Sequence, residues 1–213
     1  ELDRLSAIKS YRTWQAGETI LMEGADLPFV GSVISGSATL TRSMEDGRVQ
    51  MVGLLMPSDF VGRHDRATVA YEVVAATEVT FCLFRRGEFR QMLYDTPHVM
   101  ERMLQMSLDE LDAARDWMIL LGRKTAREKV ATLLTIVLRR ASTADRPLRA
   151  ELPLTREAMA TYLGLTIETV SRQISALRRD GLIRLDGKRG VLCDDLSALM
   201  TEAGDDEDGA ILD

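Results

Sequence analysis

The chain has 213 residues, 46% of them hydrophobic and 28% charged, with a net charge of −6, enough for two domains with cores of their own. No apolar run approaches the ~18 residues of a membrane span, and no basic segment leads into a short apolar one as in a secretion signal. Two cysteines, Cys82 and Cys193, make no disulfide framework, so a reducing, cytoplasmic setting is expected.

From residue 12 to about 84 the pattern is that of short strands. Gly17, Gly24, Gly31, Gly36, Gly47, Gly53 and Gly62 punctuate the runs Phe29–Ile34, Ala38–Arg42, Val49–Leu55 and Val79–Phe84. This regular turn spacing predicts an antiparallel β-roll of the barrel or jelly-roll kind. Asp46-Gly47, between two strand-like runs, marks a tight hairpin. From Arg86 the period becomes helical, and the first domain is placed at residues 1–96, with helices flanking the roll.

After Pro97 a long helix is predicted over 97–122. Met100, Leu104, Ser107, Leu111, Ala114, Met118 and Leu121 alternate in spacings of four and three, the seam of a parallel coiled-coil dimer. Glu110 would then face Arg115 of a partner copy, an exposed pair worth only ~0.2–1 kcal/mol. The alternative is a helix that merely packs on the roll, yet Met103, Met106 and Leu108 offer a second apolar surface for that purpose.

Residues 123–213 form the predicted third part. A helix runs from Thr125 to Arg140, Ser142–Arg149 reads as a polar linker, and Leu152 opens a winged helix-turn-helix. Thr155 and Thr166 stand where two helices start and can cap free backbone N–H groups. Gly164 turns the chain between them, and with Ala160 it is expected to let the two helices cross closely. In the second helix Val170, Ile174 and Leu177 make an apolar stripe, while Glu168, Ser171, Arg172, Ser175 and Arg179 make a polar one. An exposed Glu, Ser and Arg near a helix N-terminus is what reading the major groove of double-stranded DNA requires. Gly181–Leu192 reads as a β-hairpin wing turning at Asp186-Gly187, with Lys188 and Arg189 placed for phosphate. An amphipathic hairpin with no DNA to read, and a wing that is only a solvated loop, are the alternatives.

Charge agrees with the DNA reading. Residues 123–189 hold 15 Lys and Arg against 7 Asp and Glu, a balance of +8 inside an acidic protein. Beyond Val191 come Asp194, Asp195, Glu202, Asp205, Asp206, Glu207, Asp208 and Asp213 with no base, a tail read as solvated.

A glycine-punctuated β-roll, a long dimer helix and a C-terminal winged helix, in that order, resemble the CRP/FNR superfamily of bacterial transcription regulators over nearly the whole chain. DWMILLGRKTAREKVA (Asp116–Ala131) and LTREAMATYLGLTIETVSRQI resemble the FNR branch, in its alphaproteobacterial form. The resemblance implies an α+β fold, a homodimer, RNA polymerase as a partner and no enzymatic activity. It implies base contacts from Glu168, Ser171 and Arg172, with Thr155, Thr166, Lys188 and Arg189 also facing DNA. Arginine can donate to guanine O6 and N7, glutamate can accept from cytosine N4, and serine adapts to either. Ile167 stands where the CRP branch has arginine, which implies half-sites of TTGAT type in a palindrome.

The superfamily's cyclic-nucleotide pocket needs a Gly-Glu pair and an Arg followed by Ser or Thr. Here Gly62 precedes Arg63 and Arg66 precedes Ala67, so no cyclic nucleotide is expected, and Arg63–Arg66 reads as a solvated loop. The FNR branch senses oxygen with a [4Fe-4S] cluster on four cysteines, and Cys82 matches the one inside the β-roll. One thiolate cannot hold the cluster. The chain starts at Glu1 rather than Met, so the other three are expected before it, and this chain as given is expected to bind none. Cys193 matches no cluster position and reads as structural, and His64 and His98 as surface histidines. A cofactor-free FixK-like regulator is the alternative within the superfamily. Outside it, the alternative is a metabolite-binding module whose winged helix contacts protein.

Overall fold

The computed structural model describes residues 7–141 and 147–204, and the chain divides into two compact units that meet in sequence at Leu104 and Gln105. The division falls within the long helix rather than at its ends, so that helix serves both units.

In the first unit eight strands form two four-stranded antiparallel sheets. They are β1 (Lys9–Trp14), β2 (Thr19–Leu21), β3 (Phe29–Ser35), β4 (Ala38–Ser43), β5 (Val49–Leu55), β6 (Phe60–Val61), β7 (Glu72–Ala75) and β8 (Val79–Arg85). Strand order is β1-β8-β3-β6 in one sheet and β2-β7-β4-β5 in the other. Alternate residues of β8, Val79, Phe81 and Leu83, pack inward against Trp14, Val33, Ala38, Leu55, Val73 and Ala75. The Trp14 ring meets Phe81 edge-on at 5.8 Å. Full burial of each large side chain is worth about 1.5–3 kcal/mol. The sequence signal found β3, β4, β5 and β8 and missed the others. β2, β6 and β7 have only 2 to 4 residues, and in β1 only Trp14 is buried, so no alternation shows.

The Asp46-Gly47 hairpin is present. Met44 N–H donates to the Arg48 carbonyl at 2.8 Å, and Gly47 adopts φ +82°, the left-handed conformation that ends a three-residue loop. Helix α1 (Arg86–Asp95) stops where Pro97 forces Thr96 out of the helical region, to φ −135°. α2 (Pro97–Arg123) then begins. Phe89, Met92 and Leu93 of α1 cover Val30 on the outer face of the first sheet, with Phe60, Phe84, Val99, Met100 and Met103 around them.

The second unit is built on α3 (Ala126–Ala141). Thr125 and Glu128 close its N-terminus reciprocally. The Thr125 N–H donates to the Glu128 carboxylate at 2.6 Å, and the Glu128 N–H donates to the Thr125 hydroxyl at 3.3 Å. Val130, Ala131, Leu134 and Leu138 are fully buried, with Leu133 and Val137 nearly so, which makes α3 the hub of this core. Against it lie α4 (Arg156–Leu163), α5 (Ile167–Arg179) and α6 (Leu196–Ala203). A small antiparallel sheet completes the unit, β10 (Arg184–Asp186), β11 (Gly190–Cys193) and β9 (Leu148–Glu151), with β11 in the middle.

β9 corrects the expected linker Ser142–Arg149. Residues 142–146 lie outside the described ones, but Leu148 and Arg149 pair with Cys193 and Leu192. Four residues carry too little period of their own, and their partner strand lies some forty positions away. The acidic stretch Asp205, Asp206, Glu207, Asp208 and Asp213 lies outside the described residues.

Candidate nucleic-acid interface

α4 and α5 form a helix-turn-helix whose joints are set by local chemistry. The Thr155 hydroxyl accepts from the Ala158 N–H at 3.1 Å and that of Thr166 from the Thr169 N–H at 3.2 Å, so both threonines cap as the sequence implied. Between them Gly164 takes φ +63°, and its N–H bonds the Ala160 carbonyl. A Cβ at Gly164 would meet only a Leu121 methyl, at 4.0 Å. Glycine is thus needed for its backbone angle, not for the close crossing expected of it.

The two faces of α5 separate cleanly. Val170, Ile174 and Leu177 are at most 2% exposed, whereas Glu168, Ser171, Arg172, Ser175 and Arg179 are all exposed. Glu168 bends back to its own N–H and the Thr166 hydroxyl, which hold its carboxyl below the usual range and keep it an acceptor at neutral pH. Ser175 donates to the Ser171 carbonyl at 2.8 Å. Arg172 has no acid or other acceptor among the described residues, so its donors face outward. Ile167, half-exposed, precedes this group.

The wing adds positive charge at its tip. Asp186 is paired with Arg149 at 2.8 Å and Asp194 with Arg184 at 2.8 Å, which neutralises the hairpin's acids. Lys188 and Arg189, exposed in the turn after Gly187, have no such partner among the described residues. Gly190 is required by space, because a Cβ there would lie 2.3 Å from the Asp186 carbonyl. Between the wing tip and the start of α4 lies a pocket of about 190 Å³ lined by Leu152, Leu154, Thr155, Arg156, Lys188 and Arg189. Free N–H groups, the positive end of the α4 dipole and three bases meet there, a setting suited to a phosphate. Arg156 is the residue that the sequence reading passed over. Half-buried, it donates to the Met159 sulfur at 3.5 Å, and burial lowers its pKa. Its place immediately after a capping threonine was the available signal.

The predicted seam residues of α2 divide into two groups. Met100 is drawn into the Val30–Phe89 cluster, and Leu121 is half-buried near Gly164. Leu104, Leu111 and Met118 are 60%, 45% and 72% exposed, with Ser107 and Ala114 exposed between them. Leu108, expected to pack elsewhere, is also exposed, at 53%. Arg115 pairs with Asp112 of its own helix at 2.7 Å rather than standing ready for Glu110 alone. Trp117, on the same helix, stacks on Tyr162 of α4 with ring centroids 4.1 Å apart.

Cys82 lies on the outer face of the first sheet, between Tyr11 of β1 and Ser32 of β3. Burial pushes its thiol pKa up, against a hydrogen bond from Tyr11 and the charge of Lys9. Cys193 is buried in β11, and burial raises its thiol as well. Among the described residues no group of three or more His, Cys, Asp or Glu side chains is arranged to hold a metal. In the Arg63–Arg66 loop the Arg63 guanidinium forks onto Asp65 at 2.7 and 3.1 Å.

The chain is similar to known proteins over both units. Residues 128–202 match the Crp-like helix-turn-helix domain and residues 11–95 the cyclic nucleotide-binding domain. The chain is 59% identical to the transcriptional activator protein FnrL of Cereibacter sphaeroides, over 99% of this chain and 87% of FnrL. It is 35% identical to the nitrogen fixation regulation protein FixK of Bradyrhizobium diazoefficiens, over 81% of this chain and 73% of that one. The solved structure of FixK2 from Bradyrhizobium japonicum superposes with a TM-score of 0.83 at 29% identity, covering 91% of this chain and 96% of that one. No described helix is long and apolar enough to cross a membrane. With both domain matches and these relatives, the chain belongs to the CRP/FNR family of DNA-binding transcription regulators, which are not enzymes.

Proposed function

We propose that this regulator works as a cytoplasmic homodimer of the FNR type and reads a palindrome of TTGAT-like half-sites. The observation that carries this reading is the outward face of α5, where Glu168, Ser171 and Arg172, which has no partner among the described residues, stand together at the N-terminal end. Thr155, Thr166, Arg156, Lys188 and Arg189 hold the backbone on either side and set the register. Two copies joined along Leu104, Leu111 and Met118 present two such helices, and a palindrome requires a pair. Arg172→Ala is expected to cost about 1–3 kcal/mol against a TTGAT palindrome and to relax specificity at one base pair. Unchanged affinity and specificity in a binding titration would overturn the assignment.

RNA polymerase is the expected protein partner of a transcriptional activator of this kind. A cyclic nucleotide is not the expected ligand, because Gly62 is followed by Arg63 rather than Glu and Arg66 by Ala67 rather than Ser or Thr. We assign Cys82 as one ligand of an oxygen-sensing [4Fe-4S] cluster, whose other three ligands are not among the residues of this chain. Among the described residues it is the one thiol on that sheet face, so these residues alone do not form a four-thiolate site. The second reading is the cofactor-free, FixK-like regulator, in which Cys82, buried in its sheet, is an inert core residue. An anaerobic absorbance spectrum of the intact protein separates the two. A visible band that Cys82→Ser abolishes supports ligation, and a colourless wild type sinks it.

A further inference from the structure

In the second unit Arg127, Asp180 and Glu202 each stand against the dipole of its own helix. Asp180 caps the C-terminus of α5 and Glu202 lies in the last turn of α6, both beside carbonyls that already carry partial negative charge. Arg127 lies in the first turn of α3, at that helix's positive end. Each placement is unfavourable by itself, and together they make one ionic cluster, at whose edge Arg179 lies 3.7 Å from Asp180. The Arg127 Nη2 donates to the Asp180 carboxylate at 2.8 Å, and its Nε donates to the Glu202 carboxylate. Arg127 is 27% exposed, Glu202 33% and Asp180 41%, so the cluster is partly shielded from solvent. Both carboxylates push the Arg127 pKa up, the Glu202 hydrogen bond most strongly. Although it is one of the 15 bases of the segment, Arg127 is spent inside the protein and is not available for a phosphate.

We propose that Arg127 is a positioning residue for DNA reading, which holds the far end of α5 so that Glu168, Ser171 and Arg172 meet the base edges in register. This rests on α5 being the recognition helix. The apolar stripe Val170, Ile174 and Leu177 fixes how α5 is rotated about its axis, but a single stripe restrains tilt poorly. Beyond Leu177 the helix closes through Gly181 at φ +80° and a 3.0 Å bond from the Leu182 N–H to the Leu177 carbonyl, a local turn that ties α5 to no other helix. The Asp180–Arg127 pair supplies that tie. Glu168 lies six residues from Ile174, about 9 Å along the axis, so a tilt of about 6° moves it by about 1 Å. Paired hydrogen bonds to a base do not survive such a shift. A planar guanidinium can serve two carboxylates from two of its edges, which a lysine ammonium does less well.

The test uses the full chain and the duplex that the wild type selects from a randomised pool, with a scrambled duplex as reference. Arg127→Met is expected to lower the ratio of selected to scrambled affinity about tenfold while scrambled binding stays within about twofold. Arg127→Lys recovers part of the ratio. Asp180→Asn and Glu202→Gln also lower it, although loss of an acid beside DNA would by charge alone raise affinity for both duplexes. Amides of residues 176–182 exchange faster with solvent in Arg127→Met, with no DNA present. Three results would each overturn the proposal. One is an unchanged ratio with both affinities falling together, which is loss of fold alone. Another is a salt slope reduced by about 0.9, which is a direct phosphate contact. The third is tighter binding of both duplexes by Asp180→Asn. If the wild type selects a sequence other than a TTGAT palindrome, the operator reading fails while Arg127 is still tested. A wild type that selects nothing overturns the recognition-helix reading and this inference with it.

Discussion

α2 and α5 carry the same spacing of apolar residues, three and four apart, and put it to opposite uses. In α5 the stripe Val170, Ile174 and Leu177 finds its partner within the chain and is buried to 2% or less. In α2 the residues Leu104, Leu111 and Met118 are all more than 40% exposed in the single chain. Periodicity alone says only that a face is apolar. Whether that face is covered by the same chain or by another depends on what the fold brings opposite it.

The largest effect expected from this contrast is on folding. Ile174→Ala removes a side chain that is 2% exposed and is expected to cost about 2–5 kcal/mol in a denaturant melt. A cost below about 1 kcal/mol would mean that α5 is not packed as described. Thr166→Ala, which leaves the first amides of α5 without their acceptor, is expected to cost about 1 kcal/mol. Met118→Arg, on the exposed stripe, is expected to leave the stability of the single chain within about 0.5 kcal/mol, yet to shift sedimentation towards monomer. Unaltered self-association would remove Met118 from the dimer face. The smallest effect is electrostatic. Arg115→Glu forfeits the proposed pair with the partner's Glu110, about 0.2–1 kcal/mol of dimer stability, as well as the pair with Asp112 inside its own helix, and Glu110→Arg restores part of the dimer. If neither changes the dimer, the register of the seam is wrong.

The capping of α3 gives a test by pH. Hydrogen bonds from Thr125 hold the Glu128 carboxyl below its usual range. A lowered carboxyl stabilises the fold above its unfolded pKa, and that stability fades as pH falls through the lowered folded value. Glu128→Gln is expected to flatten this acid dependence.

The sequence by itself determined the parts whose physics is local. A threonine with free amides two and three residues ahead caps, Asp46-Gly47 turns a hairpin, and alternate inward residues make β8 a core strand. The two faces of α5 could likewise be read before any coordinate, because all of its residues lie within one 13-residue helix. The tertiary structure decided whatever depends on residues far apart in the chain. β1 is a strand because β8 pairs with it, and β9 because β11 does. Arg156 lines a pocket with Lys188 and Arg189 only because the wing tip folds beside it. Met100, read in sequence as a seam residue, packs partly against Val30 and α1 because the fold brings them beside it. Arg127, Asp180 and Glu202 are ordinary surface charges in sequence, and each stands at an unfavourable helix end. Only the packing of α3, α5 and α6 brings those three ends together, where opposite charges within hydrogen-bonding distance outweigh the dipoles that each opposes.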